Sequence, residues 1–255
     1  MIRRFLYKIY WKLEGLLVPG LRSSQYAFAE ALRAQVAERP VWLDIGCGHM
    51  ILPEWMSPQQ DQLLAVTRHV VGIDLDQDSL RKHRVYPDKA RASVYDLPFA
   101  AGSFDLVSAN MVVEHINEPE KMLLAIRGVL RTGGRFVFHT PNRDSWLIRI
   151  AAATPEWFKL PLTKLLEGRA ENDIFPTHYC FNRKADIEKL AQSTGFQIVS
   201  IQGVSSSAVT GVLGPLAIPE LLVLRRLKRP EFENARTNIV AVLQKEPDPA
   251  AASLQ

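Results

Sequence analysis

Cysteine is almost missing from this chain. Its 255 residues include two, Cys47 and Cys180. They lie too far apart in sequence to suggest a disulfide framework, which fits a reducing compartment. Neither sits in a CxxC or a Cys/His ligand spacing, so no structural zinc and no other metal site is expected. Long apolar runs are missing too. Charge interrupts the first segment too often for a signal peptide or a transmembrane helix. There is no internal repeat, and no low-complexity tract beyond the Pro/Ala-rich tail 247–255. Charge of one sign is missing from most of the length. The net charge is +4, and residues 1–39, with seven Lys/Arg against three Asp/Glu, account for all of it. A nucleic-acid binder would carry a basic stripe through its folded body, so such a partner is disfavoured. What remains, 47% hydrophobic and 23% charged, is ordinary for a globular chain with a real core. The length allows one large α/β domain or two small ones.

The N-terminal arm has its own pattern. Ile2, Phe5, Leu6, Ile9, Leu13, Leu16 and Leu17 fall on one helical face, and Arg3, Arg4, Lys8 and Lys12 lie off it. Tyr7, Tyr10 and Trp11 add amphipathic rings. Two readings stay open: a helix lying on an anionic membrane surface, or an ordinary helix packed over the functional site. Leu221–Arg229, an apolar run followed by four cations, is a second patch of the same kind. Residues 1–18 and 221–229 could dock together on a bilayer. The expected location is cytoplasmic, with a peripheral position at the inner membrane face as the further expectation.

From 41 to 140, short apolar runs alternate with helical patterns, the mark of a parallel sheet with crossover helices. The expected strands are Val41–Ile45, Val70–Leu75, Ala92–Tyr95, Phe104–Ala109 and Arg135–Thr140, then Phe196–Ile201 and Asn238–Leu243. A helix should start at Pro119, bury Met122, Leu123, Ile126, Val129 and Leu130, and stop at Thr132-Gly-Gly134. A second should be capped by Asn182, face Ile187 and Leu190 inward, and stop at Gly195. The fold expected is α/β: a doubly wound, mostly parallel seven-stranded sheet, Rossmann-like, with helices on both faces and a helical cap. The expected organisation is a helical arm over 1–39, a body over 40–245 and a flexible tail over 246–255. Residues 142–182, with Trp146, Trp157 and Phe158, and residues 203–236 read as insertions forming a substrate-side cap.

The chemistry begins at Val41-Trp-Leu-Asp44-Ile-Gly46-Cys47-Gly48, a buried-strand pattern that ends in an acid and turns on glycines. Such a turn leaves backbone N–H groups open to a ligand at the carboxyl edge of a sheet. Val71-Gly-Ile-Asp74 is a second strand ending in an acid, 28 residues after Gly46. An acid there suits ribose hydroxyls. Tyr95-Asp96-Leu97-Pro98-Phe99, then Gly102-Ser-Phe-Asp-Leu-Val107, Glu114-His115 and Leu130-Arg-Thr-Gly-Gly-Arg-Phe136 complete the series.

In this order and spacing the series resembles the class I S-adenosylmethionine-dependent methyltransferases, nearest their small-molecule, type 11-like branch, over 41–140 and more loosely over 177–201. The resemblance implies S-adenosylmethionine as cofactor. Asp44, Gly46, Cys47 and Gly48 would line its methionine end and Asp74 would hold the ribose, with Leu75 beside the adenine. Asp96 would accept from the adenine amino group, the Leu97 N–H would meet a ring nitrogen, and Asn110 would flank the methionine portion. Two departures stand out: His49-Met50 where the family usually continues with glycine, and Thr132 where it often has proline.

Methyl transfer rests largely on alignment, with a general base where the nucleophile is a hydroxyl. His115, His178 and His139, in that order, are the candidates. The implied acceptor is a small molecule or a glycan, lipid or quinone precursor. The competing readings are a non-catalytic binding subunit on the same fold, and a nicotinamide-dependent oxidoreductase. The latter would show G-x-G-x-x-G, but position 51 is Ile. Oligomeric state is not legible.

Overall fold

Val41–Ile45 is a strand because its apolar side chains find cover on both faces. Trp42, Leu43 and Ile45 are buried, and even Asp44 is 2% exposed. Burial on both faces is the signature of a central parallel strand. The computed structural model, which describes residues 2–36, 39–153, 176–206 and 210–247, places this strand, β1, in the middle of a sheet. The others are β2 (His69–Asp74), β3 (Lys89–Arg91), β4 (Phe104–Asn110), β5 (Leu130–Pro141), β6 (Phe196–Val204) and β7 (Asn238–Lys245). The seven strands run in the order β3-β2-β1-β4-β5-β7-β6. β1 is parallel to β2 and β4, β2 to β3, and β4 to β5. The order reverses between β1 and β4, where the carboxyl ends of a doubly wound sheet leave a crevice.

The helices are α1 (Ile2–Leu17), α2 (Ser24–Arg33), α3 (Ser57–Val66), α4 (Gln77–Lys82), α5 (Pro119–Val129), α6 (Trp146–Ala153), α7 (Lys184–Ser193) and α8 (Ile218–Leu227). The chain divides into two compact units: residues 1–24, 142–176 and 203–238 in one, and 25–141, 177–202 and 239–255 in the other.

The larger unit holds the main core, in which Leu43, Ile45 and Val107 of the sheet meet Leu123 and Ile126 of α5, with Phe136 and Phe138 stacked at 5.0 Å. Asp105 fastens the sheet's lower edge, accepting from the Val41 N–H at 2.8 Å and from Arg131 Nη1 at 2.6 Å.

Three expectations are corrected by the structure. The third strand is Lys89–Arg91 rather than 92–95, because β2 ends at Asp74 and offers no pairing partner beyond Arg91. Residues 93–96 instead close a turn in which the Asp96 N–H donates to Ser93 O at 3.1 Å. Thr132-Gly-Gly134 does not stop α5, which ends at Val129. It is an irregularity inside β5: Phe104 pairs with Leu130, but Leu106 already pairs with Arg135. The extra residues loop out, helped by Gly133 at φ +78°. Lys245 Nζ and Gln244 Nε2 donate to the Leu130 and Gly133 carbonyls there. Asn182 is not the cap of α7, which starts after Arg183. Its amide donates to Thr140 Oγ1 at 2.6 Å and to Pro141 O at 3.2 Å. Residues 203–236 contain a regular helix, α8, beside 3-10 segments over Gly211–Ala217 and Pro230–Ala235.

The smaller unit is built around α1. Tyr10 and Val18 are buried with Ala217, Leu221, Leu224 and Leu227, and Leu13 and Leu17 pack against them. The expected apolar face of α1 is therefore split. Leu6, Leu13 and Leu17 turn inward with Tyr10, while Phe5 and Leu16 are 62% and 71% exposed. Close approach of α1 to the 211–217 segment needs glycine. A Cβ at Gly211 would lie 2.6 Å from the Tyr7 ring, and one at Gly214, at φ +57°, 2.8 Å from Leu6 Cδ2. Asn142 ties the unit's distant segments together, donating through Nδ2 to Asn234 O and Arg236 O, both at 2.8 Å. Trp157 and Phe158, and the tail from 248, lie outside the described residues.

Candidate functional site

The turn after β1 is held from several sides. The Cys47 N–H donates to Ile73 O at 3.0 Å, and the Gly48 N–H to Asp74 Oδ2 at 2.9 Å. Gly46 and Gly48 have φ of +64° and +46°, a region L side chains rarely adopt. A Cβ at Gly46 would stand 2.3 Å from Val112 Cγ2, so this glycine is also a packing requirement at the crevice between β1 and β4. His83 Nδ1 donates to Gly48 O at 3.0 Å, since a carbonyl can only accept. Burial holds this imidazole's pKa below its usual value. His49 and Met50 are exposed. The next two residues are drawn in by Gln60, whose Oε1 accepts from the Ile51 and Leu52 N–H groups.

Asp44 lies beneath the turn with both oxygens in use. Ser108 Oγ donates to Oδ1 at 2.6 Å, and Tyr86 OH donates to Oδ2 at 3.0 Å. Trp42 Nε1 in turn donates to Ser108 Oγ at 2.9 Å. Burial raises the Asp44 carboxyl to about 6, although the two hydroxyls work in the other direction. Burial, with Asp44 beside it, pushes the Cys47 thiol up to about 12 and the Tyr86 phenol upward as well. Ser108 and Tyr86 escape sequence reasoning because they are 64 and 42 residues from the acid they serve.

Asp74 ends β2 with its carboxylate turned back on the loop, where it also accepts from the Asp76 N–H at 2.8 Å. It does not cap α4; Asp76 does, accepting from the Asp78 and Ser79 N–H groups. Each Asp74 oxygen thus keeps a free acceptor direction. Leu75 beside it is 55% exposed. Asp96 is exposed in its turn, and Leu97 is partly buried against the core.

At the end of β4, Asn110 is fully engaged. Its amide donates to Ile51 O at 3.0 Å and to Gln25 Oε1 at 2.9 Å, and its oxygen accepts from His139 Nδ1 at 2.9 Å. His139 is 1% exposed and stacks on Phe28, and burial lowers its pKa to about 4. It is a neutral positioning group for Asn110. Met111 follows at φ +57° and leads into the 3-10 turn Val113–His115. Here the backbone around His178 meets the residue before His115. The N–H groups of His178 and Tyr179 donate to Glu114 O at 2.7 and 3.2 Å, beside a partly exposed His115. Glu114 itself is buried, which raises its pKa, and its carboxylate accepts from Thr140 Oγ1 at 3.1 Å. Glu114, Thr140 and Asn182 thus form a buried polar chain behind the histidines. Sequence spacing does not connect these three residues, which lie 26 and 42 positions apart.

A glycine turn with no room for a Cβ at Gly46, a buried anion beneath it and a carboxylate with open acceptor directions suit a cationic, hydroxyl-rich ligand. These residues fit S-adenosylmethionine. Among the described residues no group of three or more His, Cys, Asp or Glu is placed to hold a metal.

Comparison with known proteins agrees. The chain is 29% identical over 188 residues to a ubiquinone biosynthesis O-methyltransferase of Thiobacillus denitrificans, covering 71% of this chain and 74% of the relative. It is 27% identical over 204 residues to the enzyme of the same name in Chromobacterium violaceum, covering 76% and 81%. A solved S-adenosylmethionine-dependent methyltransferase from Mesorhizobium loti shares the fold at a TM-score of 0.51 and 17% identity, over 85% of this chain and 96% of that one. The turn, Asp44, Asp74, Asp96, His115 and His178 all lie within residues 22–201, the stretch that matches the family model described as "Methyltransferase domain". The chain belongs to that family, and it is an S-adenosylmethionine-dependent methyltransferase.

Proposed function

We propose that the protein methylates an oxygen of a small, hydroxylated, amphiphilic acceptor of the quinone-precursor type. The observation that carries this reading is the likeness to the ubiquinone biosynthesis O-methyltransferases, which runs through most of both chains. Glycan and lipid precursors are the other acceptors to be compared. The cofactor supplies a methyl group already activated by the sulfonium charge. In this reading Asp44, Gly46, Cys47 and Gly48 form the methionine end of its site, with Asp44 acting as a buried counter-charge. Asp74 takes the ribose hydroxyls, Leu75 the adenine face, Asp96 the adenine amino group and the Leu97 N–H a ring nitrogen. Asn110, fixed by Gln25 and His139, flanks the methionine portion.

His115 accepts the proton that the acceptor hydroxyl loses as its oxygen is methylated, and His178 positions the acceptor beside it. The closeness of their backbones supports this pairing. Residues 40–245 would form the methyltransferase body with inserted segments 142–182 and 203–236, flanked by the arm and the tail. The place of work is the cytoplasm, near the inner membrane face.

The test is transfer of labelled methyl from S-adenosylmethionine to a panel holding a polyprenyl catechol, a glycan and a phospholipid. Methylation of the catechol oxygen is expected, and exclusive labelling of another class would overturn the acceptor assignment. His115→Ala should lower turnover about a hundredfold with cofactor affinity unchanged. Unchanged turnover would remove His115 from the mechanism.

A further inference from the structure

The outward surface of the smaller unit has a use that methyl transfer does not explain. α1 buries Tyr10, packs the partly buried Leu13 and Leu17 beside it, and turns the opposite side to solvent. At about 100° per residue, that outward side reads Trp11, Arg4, Lys8, Lys12, Phe5 and Leu16 in sequence around the helix. An exposed apolar strip therefore lies directly beside a row of cations. Phe5, Leu16 and Trp11 are 62%, 71% and 49% exposed.

α8 repeats the arrangement. Leu221, Leu224 and Leu227 are buried, while Leu216 just before the helix is 77% exposed and Leu222 is 51% exposed. The same outward stripe continues through the exposed Arg225 and Arg226. The one acid on α8, Glu220, is buried, and Thr210 donates to it through its N–H and its hydroxyl, so it does not neutralise the stripe. A second observation adds to the charge pattern. Arg3, Arg4, Tyr7, Lys8 and Trp11 line an open recess of about 410 Å³ on α1. The hollow is shallow and its exposed lining is mostly apolar, so its two rings and the stems of its three cations suit the water–lipid boundary with the charges kept in water.

We propose that the smaller unit docks on an anionic phospholipid surface through α1 and the outward stripe of α8. Phe5 and Leu16 enter the acyl boundary. Lys8 and Lys12 lie at the level of the phosphates. Charge complementarity selects this occupant: an exposed apolar strip alone would suit any hydrophobic partner, but one bordered by cations on two helices suits a negatively charged bilayer. Among the described residues no helix is long and apolar enough to cross a membrane, so the contact is with the surface.

The test is co-sedimentation of the full chain with phosphatidylglycerol/phosphatidylcholine vesicles and with pure phosphatidylcholine vesicles, at low and high salt. Binding to the anionic vesicles that falls with salt, and little binding to the neutral ones, is expected. K8Q/K12Q should weaken binding roughly 25-fold, about fivefold per cation. F5S/L16S should weaken it at least tenfold. All four side chains are exposed or at the helix surface, so each variant should keep the parent's melting temperature and cofactor affinity. That comparison separates failure of this proposal from failure of the assigned reaction. Absence of binding to anionic vesicles at low salt overturns the proposal, as does equal binding to neutral ones. So does a dimer in solution that F5S/L16S dissolves while vesicle binding is missing.

Discussion

The residue that most shapes the site is Asp44, a buried acid whose two oxygens are already satisfied by Ser108 and Tyr86. Its folded pKa, about 6, stands above the ordinary 3.8, so the folded state holds the proton more tightly than the unfolded chain. That contribution favours folding below pH 3.8 and is lost as pH rises through about 6. At about pH 7.5 the ionised carboxylate weighs against the fold, by up to about 3 kcal/mol for a displacement of this size. Asp44→Asn should therefore raise the melting temperature by roughly 5 °C at about pH 7.5, and by much less at about pH 5. The same change should weaken S-adenosylmethionine at least tenfold in a calorimetric titration, because the cation loses its buried counter-charge. A lower melting temperature with intact affinity would refute this account. Gly46→Ala is the complementary case. It forces a Cβ to 2.3 Å from Val112 at φ +64°, and should cost roughly 2–4 kcal/mol and abolish cofactor binding. Adding Val112→Ala should recover part of the stability, since it removes the clash but leaves the backbone strain; thermal melts of the single and double variants decide.

At the scale of elements, β1 was legible to the residue, because its run of apolar side chains ending in an acid is local information. β3 was not, because its limits are set by where β2 stops offering partners. Thr132-Gly-Gly134 looked like a helix stop, since glycines after an amphipathic run usually are one; the pairing of Leu106 with Arg135 turns them into a looped-out part of a strand. Asp74 and Asp76 illustrate the same limit. Both could cap α4, and only geometry shows that Asp76 does so, leaving Asp74 to the turn. In the smaller unit, the seating of α1 depends on Gly211, which opens the 3-10 segment leading into α8. Gly211→Val would press on the Tyr7 ring, with its first atom 2.6 Å away. Limited trypsin digestion should then cut α1 at Lys8 and Lys12 about tenfold faster, while cleavage within β1–β5 stays unchanged.

For the whole molecule, the seven-stranded, mostly parallel sheet and the methyl donor were both readable from the ordered series of turns and acids. The acceptor was not, because the segments expected to select it follow no shared pattern. The charge distribution was readable as well: the excess of +4 sits in the first 39 residues. Linkage gives a test of cofactor use that needs no acceptor. S-adenosylhomocysteine at a hundred times its Kd should stabilise the folded chain by about 2.7 kcal/mol. For a chain of this size that raises the melting temperature by roughly 5–10 °C, readable by scanning fluorimetry.

The two thiols of this chain are very unequal. Cys47 is buried in the turn with its ionisation suppressed, whereas Cys180 is exposed two residues from His178. A maleimide dye added to the unmodified protein should therefore couple once per molecule, at Cys180. The native chain thus comes with a single attachment point for a fluorophore beside the proposed acceptor position, and arrival of an acceptor could be followed as a change in emission without introducing or deleting a residue.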